Sequence, residues 1–219
     1  MIRALAFDFD GVLAESVAVK TRAYTLLFNN EGKDAVGKFV DYHNKHGGVS
    51  RFEKIRVFYE DILHRSLSEG HFNELCLQFS QLVIDEVVAA SWVEGAQEFL
   101  IQNKNRYTFA IVSGTPEDEL KEIVRRREMD HFFDVVRGSP KDKVTLLDEV
   151  MEKYNLKSEE MVFIGDAETD WLAAKKLGLH FLWRCALEQV PIPLGYKGPK
   201  LSSLKDLDFN LKQIDSIAI

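Results

Sequence analysis

The chain has 219 residues, 46% hydrophobic and 11% aromatic, enough to bury a full core as one domain or as a core with an inserted module. Its formal charge of −7 and pI near 5.4 argue against a general nucleic-acid or anionic-membrane surface, since either needs clustered excess Lys and Arg. Cys76 and Cys185 fit no metal spacing, no apolar run of about 18 residues could span a bilayer, and no signal-type apolar region precedes Asp8, so a reduced, soluble, cytoplasmic protein is expected.

In chain order, an apolar run from Ala4 to Phe7 ends at Asp8-Phe9-Asp10-Gly11-Val12-Leu13. A buried strand there would deliver two carboxylates, spaced i, i+2, to its own open end. Helical spacing follows at Val17, Tyr24, Leu27 and Phe28, returns at Phe52, Ile55, Tyr59, Ile62 and Leu63, and again at Leu75, Phe79, Leu82, Val83 and Val87. The polar, glycine-containing interval from Gly32 to Gly48 has no assignable pattern. No strand interrupts residues 16 to about 90.

From Trp92 helices and strands alternate. A short helix is expected from Val93 to Gln102, then a strand from Tyr107 to Val112 that stops at Ser113-Gly114-Thr115. Thr115-Pro116-Glu117-Asp118 reads as a helix start, with a hydroxyl N-cap, proline at the first helical position and acids in the first turn. Arg125-Arg126-Arg127 is expected on a solvated face near that helix's C-terminus. Phe132 to Val136 suggests a strand, Val144 to Tyr154 an amphipathic helix, and Met161 to Ile164 a strand stopping at Gly165-Asp166. A helix from Asp170 to Leu177 would end on Gly178, followed by a strand at Phe181-Leu182-Trp183, a Pro- and Gly-rich stretch to Pro199, and a short helix near Leu204 to Leu207. Such alternation predicts an α/β, Rossmann-like, doubly wound parallel sheet covered on both faces, with any ligand at the carboxyl ends of the strands.

Three strand ends would then converge: Asp8 with Asp10, Ser113 with Thr115, and Asp166 with Asp170. Taken singly, each acid is as well explained as a turn or capping residue. Together, four carboxylates in a partly dry cleft repel one another, and all-oxygen ligands favour a hard cation such as Mg²⁺.

These motifs, in this order, resemble the haloacid dehalogenase superfamily of phosphohydrolases over most of the chain. Asp8-Phe9-Asp10-Gly11-Val12 is similar to its first motif, Ser113-Gly114-Thr115 to its second, Lys143 with the helix after it to its third, and Gly165-Asp166-Ala167-Glu168-Thr169-Asp170 to its fourth. The resemblance implies Asp8 as nucleophile, Asp10 as general acid and base, Ser113, Gly114 and Lys143 as phosphate ligands, and Mg²⁺ held by Asp8, the Asp10 carbonyl and Asp166, with Asp170 steadying the metal's waters. Lys141 competes with Lys143 for the third role; Lys143 directly precedes the apolar periodicity and so sits at the helix start.

By the same resemblance, residues 1–15 and 92–219 form the catalytic core and 16–91 an inserted helical cap of the C1 type. Gly48-Val49-Ser50-Arg51 resembles the substrate loop of β-phosphoglucomutase-like members, with Ser50 and Arg51 as substrate contacts, while Lys54 is expected on a solvated face. His43 and His46, three apart, lack a third ligand for a zinc site. The expected activity is a Mg²⁺-dependent phosphatase of a small phosphorylated metabolite, a sugar phosphate or phosphoglycolate, through an aspartyl-phosphate. A phosphomutase of the β-phosphoglucomutase type is the rival within the superfamily, and a non-catalytic ligand-binding protein of the same fold the rival outside it. A dehalogenase would need neither Asp10 nor a metal.

Overall fold

The computed structural model describes residues 1–185, 192–193 and 195–217. Its centre is β1 (Ala4–Phe7), whose four residues are all buried. Successive side chains of a strand point to opposite faces, and here both faces are covered. Leu5 and Phe7 join one apolar cluster with Phe109, Ile111, Val162 and Ile164, while Ala4 and Ala6 join a second with Ala110, Val112 and Phe163. A strand buried on both sides has to read as a continuous apolar run, and this one does.

The sheet has six strands in the order β3-β2-β1-β4-β5-β6, with every recorded pairing parallel. These are β2 (Thr108–Pro116), β3 (Val135–Ser139), β4 (Met161–Gly165), β5 (His180–Arg184) and β6 (Lys200–Leu201). Phe7 is in register with Ile111 on one side and Ile164 on the other, so Asp8 leaves the sheet level with the end of β4, while β2 runs on beside it to Pro116. One face is covered by α5 (Ala96–Asn103), α6 (Glu117–Arg126) and α9 (Leu207–Ile217), through Phe99, Leu120 and Leu207. The other is covered by α7 (Lys143–Tyr154) and α8 (Glu168–Leu177), through Leu146, Val150 and Ala173.

Between β1 and α5 lies a wholly helical segment: α1 (Val17–Leu27), α2 (Lys33–Lys45), α3 (Arg51–Val57), a π-helical turn (Phe58–Ile62) and α4 (Glu69–Ala89). Its core is aromatic. Phe28 stacks on Phe58 at 3.8 Å between ring centroids, Tyr24 lies 4.2 Å from Phe79, and Phe39 meets Phe28 edge-on at 5.0 Å. The two chain crossings to the sheet are tied together: Glu15 N–H donates to Ser91 O at 2.9 Å and Val93 N–H to Leu13 O at 3.0 Å.

Several expectations need correction. The interval 32–48 contains α2, which is hard to see because Phe39 and His43 are its buried residues. β2 does not stop at Val112; it runs through Ser113-Gly114-Thr115 to Pro116, with an irregularity in its pairing with β3. α6 therefore starts at Glu117, after Pro116, and Thr115 is not its cap. The terminal helix is α9, well beyond Leu204 to Leu207, and the edge strand β6 was not foreseen. Part of the Pro- and Gly-rich stretch lies outside the described residues. Arg127 is not solvated: its Nη1 donates to the carbonyls of Val87, Val88 and Ala90 at 2.8, 3.0 and 2.6 Å, gathering acceptors at the end of α4. Among the described residues no helix is long and apolar enough to cross a membrane.

Phe58 is fully buried in the aromatic cluster and touches no catalytic group, so Phe58→Ala is expected to cost about 3–5 kcal/mol through lost contacts and a cavity. Urea denaturation measures it, and a loss under about 1 kcal/mol would show that the cluster does not hold the segment together.

Candidate active site

Parallel pairing of β1 with β2 and β4 brings the three strand ends together. Asp8 is 3% exposed and its own Oδ1 accepts the Phe9 amide at 2.8 Å, which fixes the carboxylate at the strand tip. Asp166 follows β4, and Asp170 sits in the first turn of α8, where its Oδ2 accepts the Ala167 amide at 3.1 Å. One carboxylate oxygen from each of Asp8, Asp166 and Asp170 lies within 4.8 Å of the others. Gly11 makes this approach possible: its φ is +77°, and a Cβ there would run into the Asp166 carboxylate.

One cation reaches two of the three acids. Lys143, the first residue of α7, extends its Nζ to 3.2 Å from Asp8 and into contact with Asp170. Burial alone would lower its pKa, yet Asp170 and Asp8 raise it above the usual lysine value, so it stays charged. Lys141 is exposed and pairs with Glu149, so of the two lysines the structure brings Lys143 to the acids. The balance remains negative. Burial, then Asp8 and Asp170, push Asp166 well above the ordinary carboxylate range. Burial also raises Asp170, against the pull of Lys143. Clustered oxygen ligands with uncompensated charge fit a hard divalent cation, and this trio could hold one.

Asp10 faces a different set. Ser16 Oγ donates to it at 2.7 Å, Thr115 Oγ1 donates at 3.1 Å, and Lys20 forms an ion pair with it while lying 2.8 Å from Thr115 Oγ1. Burial raises the Asp10 pKa, but Lys20 and the two hydroxyls outweigh it and hold the group below its usual value, as a carboxylate. Ser113 is buried, and its Oγ accepts the Thr115 amide at 3.2 Å. Lys20, Ser16 and the Thr115 hydroxyl were missed as partners of Asp10; Lys20, the only lysine in the first turn of α1, was the available signal.

The helical segment enters the crevice through the loop before α3. Gly47 O accepts the Thr169 hydroxyl at 3.1 Å. A Cβ on Gly48, φ +72°, would collide with Thr169 and lie 3.3 Å from Lys143 Nζ, while a Cβ on Gly114 would lie 2.5 Å from Gly48 O. The side chains of Ser50 and Arg51, expected as substrate contacts, are engaged by other partners. Ser50 Oγ caps α3 by accepting the Glu53 amide at 3.4 Å. Arg51 is 4% exposed and makes a bidentate ion pair with Glu119 of α6, its Nη1 2.8 Å from Oε2, while Ser80 of α4 lies 2.5 Å from Nη1. Its fork is occupied by a carboxylate of the sheet domain rather than one on a ligand.

Lys54 also departs from its expected solvated position. It is 3% exposed, and its Nζ donates to His43 Nδ1 at 2.8 Å. Burial, then Lys20, lower its pKa to about 7, although Asp10 works against them. Burial, then Lys54 and Lys20, lower His43 to about 3, so the imidazole is a neutral acceptor with its proton on Nε2.

A parallel sheet with acids at adjoining strand ends, a lysine among them and a helical segment inserted after the first strand defines a hydrolase of the haloacid dehalogenase kind. The chain belongs to the haloacid dehalogenase-like hydrolase family, whose model matches residues 5–184. It is 26% identical to a phosphorylated carbohydrates phosphatase of Thermotoga maritima, over 83% of this chain and 84% of that protein. It is 27% identical to a phosphoglycolate phosphatase of Aliivibrio fischeri, over 82% of each. Its fold is similar to that of a β-phosphoglucomutase from Clostridium difficile, with a TM-score of 0.81 over 100% of this chain and 99% of the other at 18% identity.

Removing one partner of a buried ion pair strands the other charge. Glu119→Ala is therefore expected to destabilise the protein by about 3–5 kcal/mol, and Arg51→Met with Glu119→Ala by clearly less than the sum of the single losses. Urea denaturation of the four proteins tests this, and additive losses would contradict the pairing.

Proposed function

We propose that this protein is a Mg²⁺-dependent phosphatase of a small phosphorylated metabolite, of the phosphoglycolate or sugar-phosphate type, working through an aspartyl-phosphate on Asp8. The observation that carries the reading is the buried Asp8 carboxylate at the tip of the central strand, 3.2 Å from Lys143 Nζ and clustered with Asp166 and Asp170. The phosphatases among its relatives support the reaction class.

In the first half-reaction an Asp8 oxygen attacks phosphorus, the bond to the ester oxygen breaks, and a proton from Asp10 goes to that oxygen. In the second, water attacks the same phosphorus, its proton passes to Asp10, and Asp8 is regained with release of phosphate. Asp10 needs a proton for the first half, so its pairing with Lys20 has to loosen as substrate enters; in the second half Lys20 and Thr115 favour the carboxylate again. Lys143, Ser113 and the Gly114 amide hold the phosphoryl oxygens as charge spreads over them. Mg²⁺ would be held by Asp8, the Asp10 carbonyl and Asp166, with Asp170 beside it, and would neutralise charge on the phosphoryl group.

Residues 16–91 act as the cap over a core made of 1–15 and 92–219. Gly47 and Gly48 are the part that reaches the crevice, and they exclude water from it. The phosphomutase reading drew on the Gly48 to Arg51 loop, with Arg51 as a substrate contact, and the Glu119 pairing weighs against it. The buried acid cluster and the net charge of −7 fit a small-molecule substrate rather than a nucleic acid or a membrane.

Asp8→Asn is expected to lower kcat by more than about 10⁴-fold with the fold unchanged by circular dichroism. Phosphate release from a panel of monoesters is expected to stop with EDTA and return with Mg²⁺. Full turnover by Asp8→Asn would overturn the mechanism, and turnover insensitive to EDTA the metal.

A further inference from the structure

Around the crevice, each basic group but one has a carboxylate partner. Lys143 has Asp8 and Asp170, Lys20 has Asp10, and Arg51 has Glu119. Lys54 is as buried as any of them, yet among the described residues no carboxylate lies within ion-pair distance of it. Its recorded side-chain partner is the neutral His43. A buried ammonium without a counter-ion is costly, and the cost is relieved when an anion arrives.

Its location says where that anion would come from. Lys54 lies one turn into α3, whose N-cap Ser50 places its amide 3.7 Å from a Cβ built on Gly114 in the phosphate-binding motif. Lys20, Asp10, Lys143 and Asp166, all of the catalytic crevice, lie near enough to act on its charge. The ammonium is also held still: His43 Nδ1 accepts from it at 2.8 Å, and the imidazole is wedged 4.9 Å from the Tyr24 ring and 6.4 Å from that of Phe39.

We infer that Lys54 is a specificity-determining residue that binds a carboxylate on the leaving group, so that the preferred substrates are phosphate monoesters of short hydroxy acids. This rests on the phosphatase reading above and narrows it: a neutral sugar phosphate leaves Lys54 without a partner, whereas a phosphorylated hydroxy acid satisfies Lys143 with one end and Lys54 with the other.

The test compares phosphoglycolate with 2-hydroxyethyl phosphate, which has a neutral CH₂OH where the first has a carboxylate. The wild-type enzyme, with Mg²⁺, is expected to favour phosphoglycolate, and Lys54→Gln, which keeps a donor for His43 but no charge, to reduce the ratio of the two kcat/KM values by about 10-fold to 100-fold, mainly through KM. Lys54→Arg is expected to restore part of the ratio. Equal losses on both esters would mark Lys54 as structural and overturn the inference, as would a wild-type enzyme with no preference. A wild-type enzyme that hydrolyses neither these esters nor any other monoester would instead overturn the phosphatase reading. Should Lys54→Gln not fold, Lys54→Met and Lys54→Arg carry the same comparison.

Discussion

Three carboxylates meet at the end of β1 with one lysine between them, and most of the architecture can be traced to the need to hold them there. Asp8 and Asp166 come together because β1 and β4 are parallel and in register from Ala4 with Met161 to Phe7 with Ile164, which puts Asp166 one position past Asp8. Lys143 reaches both Asp8 and Asp170 because α7 begins at that residue. Gly11 has no side chain because the Asp166 carboxylate occupies that space. Like charges at this separation in a dry site would drive the strand ends apart or take up protons, and the raised pKa of Asp166 is the sign of that tension. The sheet withstands it because β1 and β4 are wholly buried.

Asp10, two residues on, is kept out of that cluster by its own partners. Ser16, Lys20 and Thr115 turn it toward α1 and the end of β2, so its environment is opposite to that of Asp166. Asp166 is pushed toward its protonated form and Asp10 toward its ionised form. That divergence separates a group suited to a metal's charge from one suited to moving protons.

The strand-end acids were legible in the sequence because a continuous apolar run that stops at Asp has few structural explanations, and three such runs in alternation with helices have fewer. Lys143 was legible for a similar reason, as the residue immediately before an amphipathic period. What escaped were partnerships between residues distant in sequence. Arg51 finds Glu119 68 positions later, and nothing local to either marks the pair. Lys54 was misplaced because α3 is seven residues long, too short for its periodicity to separate a buried face from a solvated one. Thr115 looked like a helix cap, since a hydroxyl before proline and two acids is the usual signature of one; the continuation of β2 through that position put the hydroxyl on Asp10 instead.

The two halves of the molecule are tied by contacts of opposite character. Gly47 and Gly48 touch the crevice through backbone atoms alone, so the loop approaches Lys143 and Gly114 more closely than side chains would allow. Three residues later Arg51 makes the charged link to Glu119, inside a wall formed by Ser80 and Phe79. Because the loop and the guanidinium are so close along the chain, the loop cannot shift far without straining that ion pair. The glycines therefore set how near the segment comes to the crevice, and the ion pair fixes the segment against α6 beside it. Lys54, one turn further along the same helix, is carried to its depth by those same two constraints.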